Sequence, residues 1–135
     1  MSSPEDSSKP GAPDATGMRK GLTNYGDAGF SLFLRKAFIK GAGLTDHALE
    51  RPVIGIADTG SAYNPCHGNA PQLIDAIKRG VMLAGGLPIE FPTISIHESF
   101  AHPTSMYLRN LMSIDTEEMI RAQPMDSVIL MGGWN

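Results

Sequence analysis

The sequence has a single cysteine, Cys66, in 135 residues. One thiol cannot form an internal disulfide, so the chain is not a disulfide scaffold and suits a reducing compartment. The first residues have no apolar stretch of the kind found in a secretory signal, and they carry acids but no arginine, unlike most transit peptides. We therefore expect a cytoplasmic protein, with a mitochondrial location as the alternative.

Long apolar runs and clusters of one charge are also missing. No apolar run approaches the roughly 20 residues that a helix needs to cross a bilayer. The 11 basic and 14 acidic residues give a net charge of −3, and the basic ones form no stripe. We therefore expect neither a membrane nor a nucleic acid as a partner.

The N-terminus differs in composition from the rest of the chain. Residues 1–17 are rich in Ser, Pro, Gly and acidic residues, which predicts a disordered tail. Apolar residues make up 41% of the whole sequence, which is typical of a globular protein. We predict one folded domain over residues 18–135.

Helical spacing and glycine stops place the first helix. It is predicted to begin after Asp27 as N-cap and to end at Gly41 or Gly43. Its predicted apolar face consists of Phe30, Phe33, Leu34, Ala37 and Phe38.

Strands and helices then alternate. "VIGIAD" is predicted as a strand buried on both faces and "MDSVIL" as a third strand. "LPIEFPTISI" is predicted as the second strand, and Pro88 and Pro92 indicate that it starts late or lies at an edge of the sheet. A helix with Leu73, Ile74, Ile77 and Val81 on its apolar face lies between the first two. Two helices are predicted before the third strand: "TSMYLRNLM", and a separate one that starts at the Asp115–Glu118 pair. This order is typical of an α/β fold with a parallel sheet flanked by helices.

Polar segments follow the three predicted strands at 58–69, 95–104 and 132–135. The carboxyl ends of parallel strands share one edge of a sheet, so these segments should converge there. The candidate site residues that they supply are Asp58, Ser61, Asn64, Cys66, His67, His97, Glu98, Ser99, His102 and Asn135.

Each candidate has a structural alternative. Cys66 is either a thiolate ligand at a helix N-terminus or a small buried hydrophobe. Glu98 and Asp58 could bind Mg²⁺ or could cap a neighbouring helix or turn. The histidines are expected to be solvated or to cap the core. Gly60 and Ser61 could hold a phosphate, although the loop is not a P-loop.

Several stretches together resemble the N-terminal part of the dihydroxy-acid and sugar-acid dehydratases. They are "GLTNYGDAGFSLFLRKAF", "RPVIGIADTGSAYNPCHGN", "IKRGVMLAGGLPIEFPTIS" and "PTSMYLRNLMSIDTEEMIRAQPMDSVILMGG". The arabinonate and xylonate dehydratases are the most similar branch, because they carry "GES" where this chain has "HES" at 97–99.

The resemblance implies an iron–sulfur cluster ([2Fe–2S] or [4Fe–4S]) beside Mg²⁺, and a small hydroxy acid that is dehydrated to a 2-keto acid. It implies that Cys66 is the first cluster cysteine and that Glu98 is a Mg²⁺ ligand, while no residue here is assigned a catalytic role. The family's enzymes are dimers or tetramers, so a homo-oligomer is a further expectation.

The last residues depart from the family. The family continues "GGCDKT", whereas this chain reads "GGWN", with Trp134 at the place of the second cysteine and Asn135 at that of the aspartate. We expect a truncated dehydratase domain that is inactive alone. The alternatives are a non-catalytic partner of a full-length homologue and a small module that binds a phosphorylated ligand.

Overall fold

A computed structural model describes residues 15–22 and 26–133. The helices are α1 (Ala28–Lys40), α2 (Asp46–Leu49), α3 (Ala70–Leu83) and α4 (Met106–Ala122). The strands are β1 (Val53–Asp58), β2 (Leu87–Pro92) and β3 (Ser127–Leu130), and short 3₁₀ turns cover Gly17–Arg19, Pro65–His67 and Glu98–Phe100. None of the described helices is long and apolar enough to cross a membrane.

The three strands form one parallel sheet in the order β2-β1-β3. Gly55 of β1 lies opposite Ile89 of β2 on one side and Val128 of β3 on the other. The central strand is buried, with Ile56 fully enclosed, and the helices flank the sheet. The predicted α/β class with a parallel sheet is confirmed. In the described sheet β2 lies at an edge, one of the two positions that Pro88 and Pro92 indicated, but it does not start late. It ends at Pro92, so the last four residues of the predicted strand lie outside it.

Helix α1 has the predicted bounds but a different buried face. Asp27 caps it by accepting a hydrogen bond from the Gly29 N–H at 2.8 Å. Phe33 and Phe38 are 63% and 79% exposed, however, while Leu32 and Ile39 pack against the core. The predicted apolar face was wrong because α1 is apolar nearly all round, so its own sequence does not select the side that packs.

Helix α4 is one continuous helix where two were predicted. Asp115, which was expected to start the second helix, lies in its middle. Its carboxylate accepts a hydrogen bond from the Ile94 N–H at 3.1 Å. The aspartate therefore anchors the connection after β2 to α4, and the capping interpretation of the Asp115–Glu118 pair was wrong.

The predicted tail lies largely outside the described residues, and for residues 1–14 it stays a prediction. Ala15 and Gly17, at its end, are buried. The Gly17 N–H donates to Asp126 Oδ2 at 2.8 Å, beside the start of β3. The packed part of the chain thus includes residues 15–17.

The main apolar core lies on one side of the sheet and joins β1 to the chain segments around it. Its buried members are Met18, Leu49, Val53, Ala57, Leu87, Phe91 and Met125. A Cβ added at Gly55 would lie 2.9 Å from the Met125 sulfur and 3.0 Å from the Phe91 ring. Gly55 is therefore the position where the core approaches the backbone of the central strand.

We expect Gly55→Ala to lower the free energy of unfolding by about 1–3 kcal/mol, because it overpacks this contact. Gly80 is the matched control, since it lies inside α3 and a Cβ there would have no atom within 4 Å. Gly80→Ala should raise the free energy of unfolding by about 0.5–1 kcal/mol, through helix propensity. Urea denaturation measures both, and a change of the same sign in the two variants would contradict the packing described here.

Candidate active site

Three connections leave the carboxyl edge of the sheet and contact one another. The rings of Tyr63, after β1, and Phe100, after β2, meet edge to face with centroids 6.0 Å apart. The Thr59 hydroxyl donates to the carbonyl of Met131, after β3, at 2.8 Å. The connections after all three strands therefore form one continuous surface at this edge.

Cys66 lies on this surface, in the short 3₁₀ turn Pro65–His67. Its side chain is exposed and free, so the interpretation as a small buried hydrophobe was wrong. Together with Asn69, Leu73 and Gly132 it lines a cavity of about 110 Å³ between the β1 and β3 connections. The thiol is thus placed where a ligand could reach it.

His67, the next residue, is buried and has both ring nitrogens in hydrogen bonds. Nδ1 lies 2.8 Å from the Thr59 carbonyl oxygen, and Nε2 accepts from the Gly133 N–H at 2.8 Å. The imidazole joins the β1 connection to the β3 connection. Asn64, another candidate of the same loop, is fully buried.

Glu98 lies in the turn after β2 and is hydrogen-bonded to Ser105, the N-cap residue of α4. Its carboxylate accepts hydrogen bonds from the Thr104 hydroxyl and from the Ser105 N–H, each at 2.8 Å, and from the Ser105 hydroxyl. The Ser105 hydroxyl bond, followed by the other two, lowers the pKa of the Glu98 carboxyl. The carboxylate is therefore ionised and exposed, as either interpretation of this residue requires.

We expect the Glu98 hydrogen bonds to make stability depend on pH. Because its pKa is lowered on folding, the ionised group stabilises the fold above the ordinary value of 4.5, and this contribution is lost as the pH falls through the lowered pKa. Wild type should therefore lose stability relative to Glu98→Gln as the pH falls below 4.5. Urea denaturation at a series of pH values tests this, and a difference that does not vary with pH would contradict it.

Asp58 and Ser61 are engaged in the turn itself. Asp58 Oδ1 accepts from the Gly60 N–H at 2.7 Å, and Ser61 Oγ accepts from the Tyr63 N–H at 3.2 Å. A carboxylate thus already uses the Gly60 donor and would repel an anion. This arrangement does not favour a phosphate at Gly60 and Ser61.

Two of the remaining candidates, His97 and Ser99, lie in the turn that carries Glu98, and the His97 and Phe100 ring centroids are 5.6 Å apart. His97 Nδ1 accepts from the Ser99 N–H at 3.2 Å, and His102 is exposed. Asn135 lies outside the described residues, as does Trp134. Within residues 15–22 and 26–133, no three His, Cys, Asp or Glu side chains come together in a way that could hold a metal ion.

A larger cavity of about 620 Å³ lies beside this edge, between the ends of β1 and β3 and one face of α4. Thr59 and His67 line one side of it, and Met112, Thr116 and Ile120 of α4 line the other. Sequence reasoning missed this cavity because its two sides come from segments that are far apart in the sequence. The only local signal was the position of Thr59 directly after a buried strand.

Comparison with known proteins gives consistent matches over most of the chain. The family described as "Dihydroxy-acid/6-phosphogluconate dehydratase N-terminal" matches residues 51–134. An L-arabonate dehydratase of Azospirillum brasilense is 43% identical over 102 residues, which are 75% of this chain and 18% of that protein. An L-arabinonate dehydratase of Rhizobium leguminosarum bv. trifolii is 39% identical over 110 residues, 81% of this chain and 19% of that protein.

A dihydroxy-acid dehydratase of Moorella thermoacetica is also similar, with 35% identity over 101 residues, 71% of this chain and 18% of that protein. The chain thus spans less than a fifth of the length of these curated relatives. The matched region includes β1, β2, β3 and all three connections at the carboxyl edge.

Proposed function

Because this chain belongs to the dihydroxy-acid/6-phosphogluconate dehydratase family, as an N-terminal region, we propose that it forms part of the active site of a hydro-lyase. The proposed reaction removes water from a 2,3-dihydroxy acid, a sugar acid in particular, and yields a 2-keto acid. The proposed cofactors are an iron–sulfur cluster and Mg²⁺. The chain alone is proposed to be inactive.

One observation supports this proposal above the others: an exposed thiol and an ionised carboxylate lie on neighbouring connections that touch. Cys66 and Glu98 belong to the loops that Tyr63 and Phe100 join. A soft thiolate and a hard carboxylate are the ligand types that iron–sulfur clusters and Mg²⁺ respectively select. We propose Cys66 as a cluster ligand and Glu98 as a Mg²⁺ ligand.

The chain's own donor set does not fit a complete cluster. Such a cluster takes about four protein ligands, mostly thiolates, and the sequence contains one cysteine. No reaction step is therefore assigned to a cluster held by this chain alone. This shortage of thiolates is the reason for the proposed inactivity.

The donor set does fit one Mg²⁺ contact. Mg²⁺ takes one or two carboxylates with several waters, and Glu98 is ionised and exposed. The chemistry that such an ion supplies is neutralisation of negative charge on a bound hydroxy acid. Glu98 would provide the carboxylate ligand, and its hydrogen bonds to Thr104 and Ser105 fix the position of that carboxylate.

We expect the isolated chain to give no 2-keto acid above the blank. The assay uses arabinonate and xylonate after anaerobic incubation with iron, sulfide and Mg²⁺, and Cys66→Ser is measured in parallel. Robust turnover by the wild-type chain that Cys66→Ser abolishes would contradict the proposed inactivity.

The Glu98 assignment has its own test with Mn²⁺, which prefers the same oxygen ligands as Mg²⁺ and broadens nearby NMR signals. We expect selective broadening of the Ser99 and Phe100 amides in wild type, and its loss in Glu98→Gln. Glu90→Gln is the matched control, because Glu90 is an exposed carboxylate on β2 that pairs with Lys78 at 2.6 Å. Equal broadening in wild type and Glu98→Gln would overturn the assignment.

A second candidate function is that of a non-catalytic partner that docks on a larger dehydratase. It is favoured by large apolar side chains that the described part of the chain leaves exposed, such as Phe38 on α1 and Tyr107 and Leu111 on α4. Co-sedimentation with the A. brasilense L-arabonate dehydratase tests this. Independent sedimentation of the two proteins would remove this candidate.

A further inference from the structure

His67 closes a chain of hydrogen bonds between the loops after β1 and β3. The Thr59 hydroxyl donates to the Met131 carbonyl, and the Thr59 carbonyl faces His67 Nδ1. The Gly133 N–H donates to His67 Nε2. Two residues of the β1 connection thus hold the β3 connection at two points, Met131 and Gly133.

The partners of the imidazole fix its tautomer. The Thr59 carbonyl can only accept a hydrogen bond, so Nδ1 must carry the proton. The Gly133 N–H can only donate, so Nε2 must present its lone pair. Both bonds at 2.8 Å are therefore satisfied by a neutral ring with the proton on Nδ1, and the ring is 7% exposed.

This contact requires a residue without a side chain at position 133. A Cβ there would lie 2.5 Å from both His67 Cδ2 and Nε2. The same position would lie 3.6 Å from the Cys66 carbonyl oxygen. The β3 connection therefore passes across the His67 ring at a distance that only glycine permits, immediately beside the turn that carries Cys66.

We propose that His67 is a positioning residue, which through its Nδ1–H tautomer latches the backbone at Gly133 onto the Cys66 turn. The latch fixes the wall of the 110 Å³ cavity that Cys66 and Gly132 line. The functional role of the latch rests on the proposed function, because a ligand bound at Cys66 would contact that wall of the cavity. The latch itself is a property of the described residues and can be tested without any activity.

The first test needs no variant. In the full chain labelled with ¹⁵N-histidine, long-range ¹H–¹⁵N spectra distinguish a protonated from an unprotonated ring nitrogen. We expect His67 to show a protonated Nδ1 and an unprotonated Nε2. The opposite tautomer would overturn the proposal, because Nε2 could then not accept from Gly133.

The second test compares two substitutions at His67. Asparagine can replace the Nδ1 donor but is too short to reach Gly133, whereas the longer glutamine can present an oxygen near the Nε2 position. We expect the Gly133 amide to exchange with solvent about tenfold faster in His67→Asn, since its acceptor is lost, and to recover most of its protection in His67→Gln. Unchanged exchange in His67→Asn, or no recovery in His67→Gln, would overturn the proposal.

A third measurement separates positioning from general stability. Cys66 is the only thiol, so its rate of reaction with a disulfide reagent reports this turn alone. The rate should rise in His67→Asn and return towards wild type in His67→Gln. His47→Asn, a change at an exposed histidine of α2, should leave the rate unchanged. A thiol rate that is the same in His67→Asn as in wild type would contradict the latch.

Failure of the dehydratase proposal and failure of the latch give different results. If the chain has no part in a hydro-lyase, the Glu98 broadening by Mn²⁺ is absent while the tautomer and the Gly133 exchange are as described. If the latch is wrong, the tautomer and the exchange results fail regardless of the Mn²⁺ result.

Discussion

Replacing Phe91 by alanine is expected to lower the free energy of unfolding by about 3–5 kcal/mol. Phe91 of β2 is 6% exposed and belongs to the core. Its ring lies beside Met125, on the side of Gly55 where a side chain would otherwise stand. Its removal leaves a cavity that an edge strand held in register by β1 cannot close. The loss combines the transfer free energy of the ring with the cost of that cavity.

The matched control is Phe38→Ala, which removes the same ring from a position 79% exposed on α1. We expect a change within about 0.5 kcal/mol, the range of ordinary surface substitutions. Urea denaturation of both variants gives the comparison. Equal losses would mean that the apolar face predicted from the sequence of α1, and not the observed one, is buried in the protein.

Replacing Asp126 by alanine is expected to lower the free energy of unfolding by about 2–4 kcal/mol, because two backbone N–H groups lose the carboxylate that accepts from them. Asp126 Oδ2 accepts from the Val53 N–H at 2.7 Å and from the Gly17 N–H at 2.8 Å. These bonds fasten the start of β1 and the N-terminal turn to the residue just before β3. Charge-assisted bonds of this kind are stronger than those between neutral groups.

Asp126→Asn separates the acceptor from the rest of the side chain, since its amide oxygen can still receive one or both N–H groups. We expect it to lose about 1 kcal/mol, clearly less than alanine. Amide exchange at Val53 and Gly17 provides an independent readout of the same bonds. Similar small losses in both variants would contradict the role given to Asp126.

Local patterns were sufficient to predict much of the fold. Sequence spacing revealed three features that depend only on residues close together in the chain. They are the Asp27 cap of α1, the buried apolar run of β1 and the prolines of β2. The convergence of the three connections followed from the rule for parallel strands, and the Tyr63–Phe100 contact agrees with it.

The missed features depend on contacts between residues distant in sequence. Asp115 looked like a helix start because its partner, the Ile94 N–H, lies 21 positions away. His67 looked like a solvated or capping imidazole because Gly133 lies 66 positions away. The face of α1 was misassigned for the same reason: an all-round apolar helix takes its orientation from the surface that receives it.

The central claim is that the Cys66 turn and the Glu98 turn share one edge of the sheet, and a spin label on Cys66 tests it most directly. Cys66 is the only thiol, so a nitroxide attached to it reports from one position. We predict strong broadening of the amides at 97–100 and at Gly133, and little at α2, which precedes the opposite end of β1. Sharp signals from 97–100 together with broadened signals from Asp46–Leu49 would contradict the account.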